Sequence, residues 1–149
     1  MNKIPDAFLD LVNCPRVAAL TTVMPDGQPQ TTVVWCDFDG RYVRVNTMRG
    51  FRKEKNMRVN SRVTLLCFDP CEPLRSLEVR GIVIKMTERG ALEHLDSLSE
   101  RYVGRKPYFG NCVPVEFKAK EIPVLCKILP MHVVTLDARK EKAHEPANP

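Results

Sequence analysis

The sequence is short of aromatic residues, which make up 7% of its 149 positions and include a single Trp. With none of the helix-turn-helix, zinc-finger or aromatic RNA-binding signatures either, no nucleic-acid partner is expected. It also lacks any apolar run near the roughly 20 residues that a membrane-spanning helix needs, so no membrane association is expected. There is no Gly-x-Gly-x-x-Gly, no local Ser-His-Asp or Cys-His signature and no carboxylate pair in a plausible cleft, and such a chain fits a protein that leaves the hard chemistry to a cofactor. The N-terminus, Met-Asn-Lys-Ile-Pro-Asp, is followed by no secretory apolar segment. The six cysteines are therefore expected as reduced thiols in a cytoplasmic protein. Only Cys67-x-x-x-Cys71 approaches ligand spacing, and without a second pair or a nearby His no metal site is expected.

Acids are the other scarcity, and it is local. The chain carries 23 basic and 18 acidic residues, yet Arg41 to Arg62 holds eight Arg or Lys against one acid, Glu54. In this stretch an alternating, β-branched segment (Tyr42 to Thr47) runs into a glycine and then a short basic helix start. Gly50 permits the turn, and the free N–H groups of a helix beginning there, with Arg52, Lys53 and Lys55, form a candidate phosphate seat.

The rest reads as strands with flanking helices. A helix is expected over Pro5 to Asn13 and strands over Arg16 to Val23, Pro29 to Asp37 and Arg41 to Thr47, joined by Met-Pro-Asp-Gly and Asp-Gly turns in an antiparallel meander. Arg62 to Asp69 is apolar enough to be a strand buried on both faces. Ser76 to Met86 alternates Leu77 and Val79, then Ile82, Ile84 and Met86, with a phase shift expected at Gly81 that would bend the strand into a barrel. Thr87 to Tyr102 is a helix with Leu92, Leu95, Leu98 and Tyr102 on one side, stopped by Gly104 and expected to cover a barrel opening. A proline-marked loop with an extended Val-Pro-Val-Glu-Phe follows, then a last strand, Val124 to Asp137, bulged or broken at Pro130. Residues 1–137 form one domain, mainly β with flanking helices, and 138–149 form a charged tail expected to be disordered.

Particular residues narrow this further. Arg-Val-Ala-Ala-Leu-Thr-Thr with Asp-Gly-Gln-Pro-Gln-Thr-Thr-Val-Val-Trp, Val-Asn-Thr with Arg-Lys-x-Lys-Asn-Met-Arg-x-Asn-x-Arg-Val, Leu-Glu-Val-Arg-Gly, and Arg-Tyr-Val-Gly with Pro-Tyr occur in order over residues 5 to 137. The set resembles the pyridoxamine 5'-phosphate oxidase-like split-barrel family, in particular its flavin- or deazaflavin-dependent oxidoreductase branch. The resemblance implies a six-stranded antiparallel split β-barrel working as a homodimer, with two cofactor sites at the subunit interface. It implies Thr31, Thr32 and Val33 along the cofactor ring, Asn46 and Thr47 at the ring edge or ribityl chain, and Lys53, Lys55 and Asn56 at the phosphate. Leu74 and Arg75 would approach from the partner chain. Phe51 stands where family members often carry Arg or Lys and Ser61 where they often carry Pro, so Arg49 or Arg52 would have to make up the phosphate shell.

The expected activity is hydride transfer between the ring and a small conjugated substrate. The deazaflavin coenzyme F-420 is favoured over FMN, because Arg41, Arg44, Arg49, Arg52 and Arg58 extend the positive field in a way that suits its polyanionic tail. A non-catalytic carrier of the same ring, or an FMN-dependent enzyme of the pyridoxamine-phosphate-oxidase type, is the alternative. No catalytic side chain is assigned. His94, between Glu93 and Leu95, reads as exposed, and His132 in the last strand is only a weak candidate for proton transfer. Trp35 reads first as a core or interface anchor, and Glu78 and Arg80 as a cross-strand ion pair. Val33, Trp35, Val43 and Val45 together give more apolar strand surface than a small barrel covers, which points to self-association.

Overall fold

The computed structural model describes residues 2–141. Among these the strands are β1 (Val17–Val23), β2 (Pro29–Val34), β3 (Cys36–Phe38), β4 (Val43–Met48), β5 (Arg62–Asp69), β6 (Glu72–Thr87) and β7 (Pro123–Asp137), in one antiparallel sheet of order β2-β1-β5-β6-β7-β4-β3. β2 and β3 flank a single residue, Trp35, yet lie at opposite edges of that order. The sheet must therefore curl until its edges meet at Trp35, which is the geometry of a split barrel. The count exceeds the expected six because the segment read as one strand, 29–37, is cut there.

The cut has its cause in a residue distant in sequence. Tyr102 hydrogen-bonds the backbone on both sides of its hydroxyl: the Cys36 N–H donates to it (3.2 Å) and it donates to the Cys36 carbonyl (3.3 Å). Its ring stacks on Trp35 at 5.3 Å. The chain is held just where it leaves β1 and takes up β4 as its neighbour.

Helices close the barrel. The helix expected over Pro5 to Asn13 is a 3-10 turn, Asp6–Phe8, followed by α1, Asp10–Asn13, and it places Leu11 and Val12 in the main core with Ile4. At the other end of β1, α2 (Arg52–Val59) inserts Met57 into the same core. Its N-terminal turn is fastened by Glu54, which accepts the Gly50 N–H at 3.0 Å and pairs with Arg58, a back-reaching cap. Gly50 sits at φ +84°, a conformation that glycine supplies without penalty.

α3 (Ala91–Val103) ends at Gly104 as expected, but it does not cover an opening. It lies on the outer side of β4, where Leu95 joins Met48 and Phe109 in a second apolar cluster separate from the barrel core. Strand β5 is buried on one face only: Val63, Leu65 and Cys67 point inward, whereas Leu66 is 39% exposed. The segment read as extended beyond Val113 forms a 3-10 turn at Val115–Ala119.

A register shift does occur at Gly81, but the extra residue there lies on β7, since Arg80 pairs with His132 and Gly81 with Pro130, leaving Met131 over. The inward phase of β6 therefore continues through Leu77, Val79, Gly81 and Val83, and shifts only at the extra residue Ile84, which is 45% exposed. Gly81 is required for close approach: a Cβ there would stand 2.6 Å from Ile128 Cγ2 and 2.7 Å from the Leu129 carbonyl oxygen. The tail expected to be disordered begins with a helical turn, α4 (Ala138–Glu141), and its remainder lies outside the described residues.

Candidate functional site

The β3–β4 ladder pairs Phe38 with Val43, Asp37 with Arg44 and Cys36 with Val45. Continued by the same rule, it would pair Trp35 with Asn46, Val34 with Thr47 and Val33 with Met48. It stops instead, because β2 belongs to β1, and those six residues line a cavity of about 370 Å³. Phe51 just before α2 and Lys53 in its first turn, Leu95 and Leu98 of α3, and Tyr108, Val113, Phe117 and Glu121 of the segment that follows complete it. A larger concavity of about 570 Å³ lies on the outer face of the sheet around Thr21, Arg62, Thr64 and Arg80. It offers less chemistry, since Arg80 is already paired with Glu78 at 2.7 Å along its own strand, and not across strands as expected.

Of the candidates read from sequence, the cavity brings together Val33, Asn46, Thr47 and Lys53. Thr31, Thr32 and Val33 cannot share a face of a strand. Thr31 and Val33 are exposed, Thr31 Oγ1 lying 2.8 Å from Thr21 Oγ1, while Thr32 points inward with its hydroxyl unpartnered. Asn56 is buried inside the barrel end, donating to Thr22 at 3.0 Å, so it is no part of the cavity lining. Arg49 is held by Glu88 through two contacts of 2.5 Å, and Arg52 and Lys55 are exposed outside the cavity. Arg75 is occupied in its own chain by Asp10 and the Ala7 carbonyl, and Leu74 beside it is 62% exposed. Glu54, read as the one stray acid, is buried and structural.

The cavity is apolar and aromatic with few polar groups. Trp35 stacks on Tyr102 and meets the edge of Tyr108 at 6.0 Å. Lys53 is its cation, half-buried, with Nζ 5.9 Å from the Phe51 ring centre, and desolvation lowers the pKa of its ammonium. An anion beside it would restore the charge that burial opposes. Asn46 Oδ1 and Thr47 Oγ1 are buried and unpartnered. Buried polar atoms ordinarily have partners, so Asn46, which faces α3, marks a place where a ligand's polar edge belongs, whereas Thr47 alternates with it and follows Val43 and Val45 toward the barrel core. An apolar slot with an orphaned polar atom on one strand and a desolvated cation at a helix start fits a flat ring cofactor carrying a phosphate.

His94, read as exposed, is 7% exposed and forms part of a network behind this wall. Its Nε2 lies 3.3 Å from Asp37 Oδ1 and its Nδ1 3.2 Å from Asn46 Nδ2. Arg44 donates to both Asp37 oxygens at 2.7 Å. Burial raises the Asp37 pKa, but the hydrogen bonds from His94 and Arg44 outweigh it and bring it down to about 2. A signal for His94 was present in the sequence: Ala91, His94, Leu95 and Leu98 follow helical spacing as closely as the leucine line does. His132 is exposed on β7 opposite Arg80, away from the cavity. Among the described residues, no three His, Cys, Asp or Glu side chains come together as a metal site.

Comparison with known proteins agrees with this architecture. The sequence pattern of the pyridoxamine 5'-phosphate oxidase family matches residues 4–126, and the chain belongs to that family of flavin-binding split barrels. Among solved structures it is similar to an F420 reductase, with 29% identity and a TM-score of 0.75 over 88% of this chain and 98% of that one. It is also similar to the conserved hypothetical protein Rv2991 from Mycobacterium tuberculosis, with 28% identity and a TM-score of 0.70 over 98% of this chain and 92% of that one. A putative pyridoxamine 5'-phosphate oxidase from Listeria innocua shares the fold at 20% identity and a TM-score of 0.58, over 81% and 88% of the two chains. No curated protein matches the chain.

Proposed function

We propose that the chain is an oxidoreductase that holds a flavin or deazaflavin ring in the cavity beside Trp35 and passes a hydride between that ring and a small conjugated substrate. The observation that carries this reading is the interrupted β3–β4 ladder, which leaves a slot lined by Val33, Trp35, Asn46 and Thr47 and ending at Lys53. The bound ring would supply the hydride chemistry. The protein's own residues would do the rest. Trp35, Tyr108 and Phe117 exclude water, Asn46 meets the polar edge, and Lys53 neutralises the phosphate.

The deazaflavin coenzyme F-420 remains the preferred cofactor, now on the likeness to the F420 reductase. The extended positive field invoked for its tail is much reduced, since Arg44, Arg49 and Arg58 are each matched by an acid. FMN is the alternative. Titration of the purified protein with FMN and with F-420, followed by ring fluorescence, tests the reading. Tight F-420 binding is expected, binding of FMN alone would overturn the cofactor preference, and binding of neither would overturn the function.

The same reading includes a homodimer. Val43 and Val45, counted toward an exposed apolar face, are core residues, so the surface available for pairing lies elsewhere. Register aligns Val33, Ala19, Leu66, Glu78 and Val134 in one outward row across five strands, with Val33 73%, Leu66 39% and Val134 40% exposed. Such a row buried against its own copy would bring a second chain to the mouth of the cavity. Light scattering at micromolar protein should report twice the chain mass.

A further inference from the structure

The network behind the cavity has only one consistent hydrogen-bond polarity. The Asn46 amide nitrogen lies 2.9 Å from the Ala91 carbonyl oxygen, which can only accept, so that end of the amide is the NH2. Its second hydrogen points to His94 Nδ1 at 3.2 Å, which makes Nδ1 an acceptor. The ring proton of His94 then sits on Nε2, where it donates to Asp37 Oδ1 at 3.3 Å. Asp37 is itself fixed by the two Arg44 contacts. A reversed amide would press its oxygen against the Ala91 oxygen and offer a donor to no free partner. Both amide hydrogens are thus spent on the protein, and the Asn46 group left without a partner, in a residue that lines the cavity, is Oδ1. Oδ1 can only accept.

From this we infer that Asn46 selects a ligand edge bearing an N–H donor, and that His94 is the positioning residue that holds the amide in that sense. The inference rests on the proposed ring-binding role of the cavity and deepens it. Flavins and deazaflavins share one such edge, a pyrimidinedione with an N–H between two carbonyls. A ligand that places only acceptors against Asn46 would leave Oδ1 buried and facing a like charge, which is the costlier outcome.

The test compares the affinity of the full-length protein for a ring cofactor and for its N3-methyl derivative, using FMN or F-420, whichever binds. The parent ring should bind the wild type at least about tenfold more tightly, the usual weight of one buried hydrogen bond and its steric replacement. His94→Asn, whose amide oxygen can stand in for Nδ1, should keep that ratio. His94→Phe should reduce it several-fold, and Asn46→Ala should bring it close to one. A merely structural role for His94 would weaken both ligands equally and leave the ratio unchanged. A wild-type ratio near one overturns the inference whether or not the buried variants fold, and so does a folded His94→Phe protein with the wild-type ratio. Should the wild type bind neither parent ring, the functional reading itself falls, and this result is distinct from a ratio near one.

Discussion

The wall made by β6 and β7 and the gap between β2 and β4 belong to one antiparallel sheet, and they end in opposite states. β6 and β7 stay paired from Arg75 to Thr87 by setting aside single residues, Met131 on one strand and Ile84 on the other, so that curvature is absorbed without losing the ladder. At Trp35 the residue left out of the ladders does not return the chain to the same partner. A large ring is anchored on Tyr102 instead, the chain changes partner, and the ladder ends. Continuity depends on small or outward residues at the bend, whereas a cavity opens where the bend is occupied by an aromatic side chain.

The sharpest way to break the continuous side of this contrast is Gly81→Ala. The new Cβ meets Ile128 and the Leu129 backbone at distances no relaxation of a flexible side chain can fully relieve, so a loss of about 3 kcal/mol is expected in urea denaturation. A gap that is independent of this wall should still bind its ligand in the folded fraction. Next in size is the acid response of the network behind the gap. The Asp37 pKa is depressed to about 2 from an ordinary 3.8, so its contribution is present above pH 4 and is lost as pH falls toward 2. About 2 kcal/mol should disappear across that window, and Asp37→Asn should flatten the profile.

Lys53→Ala should lower cofactor affinity by about 1.5 kcal/mol, roughly tenfold, without loss of folding stability, because it removes a desolvated charge. Lys55→Ala, outside the cavity, should change affinity far less, and equal effects would mean that the phosphate seat lies across the helix start and not in the gap. Arg49→Ala should be the mildest change, under about 1 kcal/mol in stability, as expected for an exposed pair with Glu88.

The hairpins, the basic helix start, the Gly104 stop and the irregularities near Gly81 and Pro130 were legible because turn residues and alternation announce them locally. The break at Trp35 was not. Every residue from Thr31 to Cys36 suits a strand, and the cause lies in Tyr102, far along the chain. For the same reason the basic stretch was over-read: its cations are visible in sequence, while the acids that occupy them, Asp37, Glu54 and Glu88, are recognised only once folding brings them together. Consecutive Thr31, Thr32 and Val33 looked equivalent by resemblance, but the pleat sends them to alternate faces.

Val33 belongs at once to the cavity lining and to the exposed row that runs to Val134. A second copy covering that row would touch the same side chain that a ligand touches, so association and ligand capture would be thermodynamically linked. By reciprocity, each would strengthen or weaken the other by the same factor. Dilution of the protein would then change the apparent Kd for its ligand, and saturation with ligand would shift the midpoint of subunit dissociation by an equal free energy.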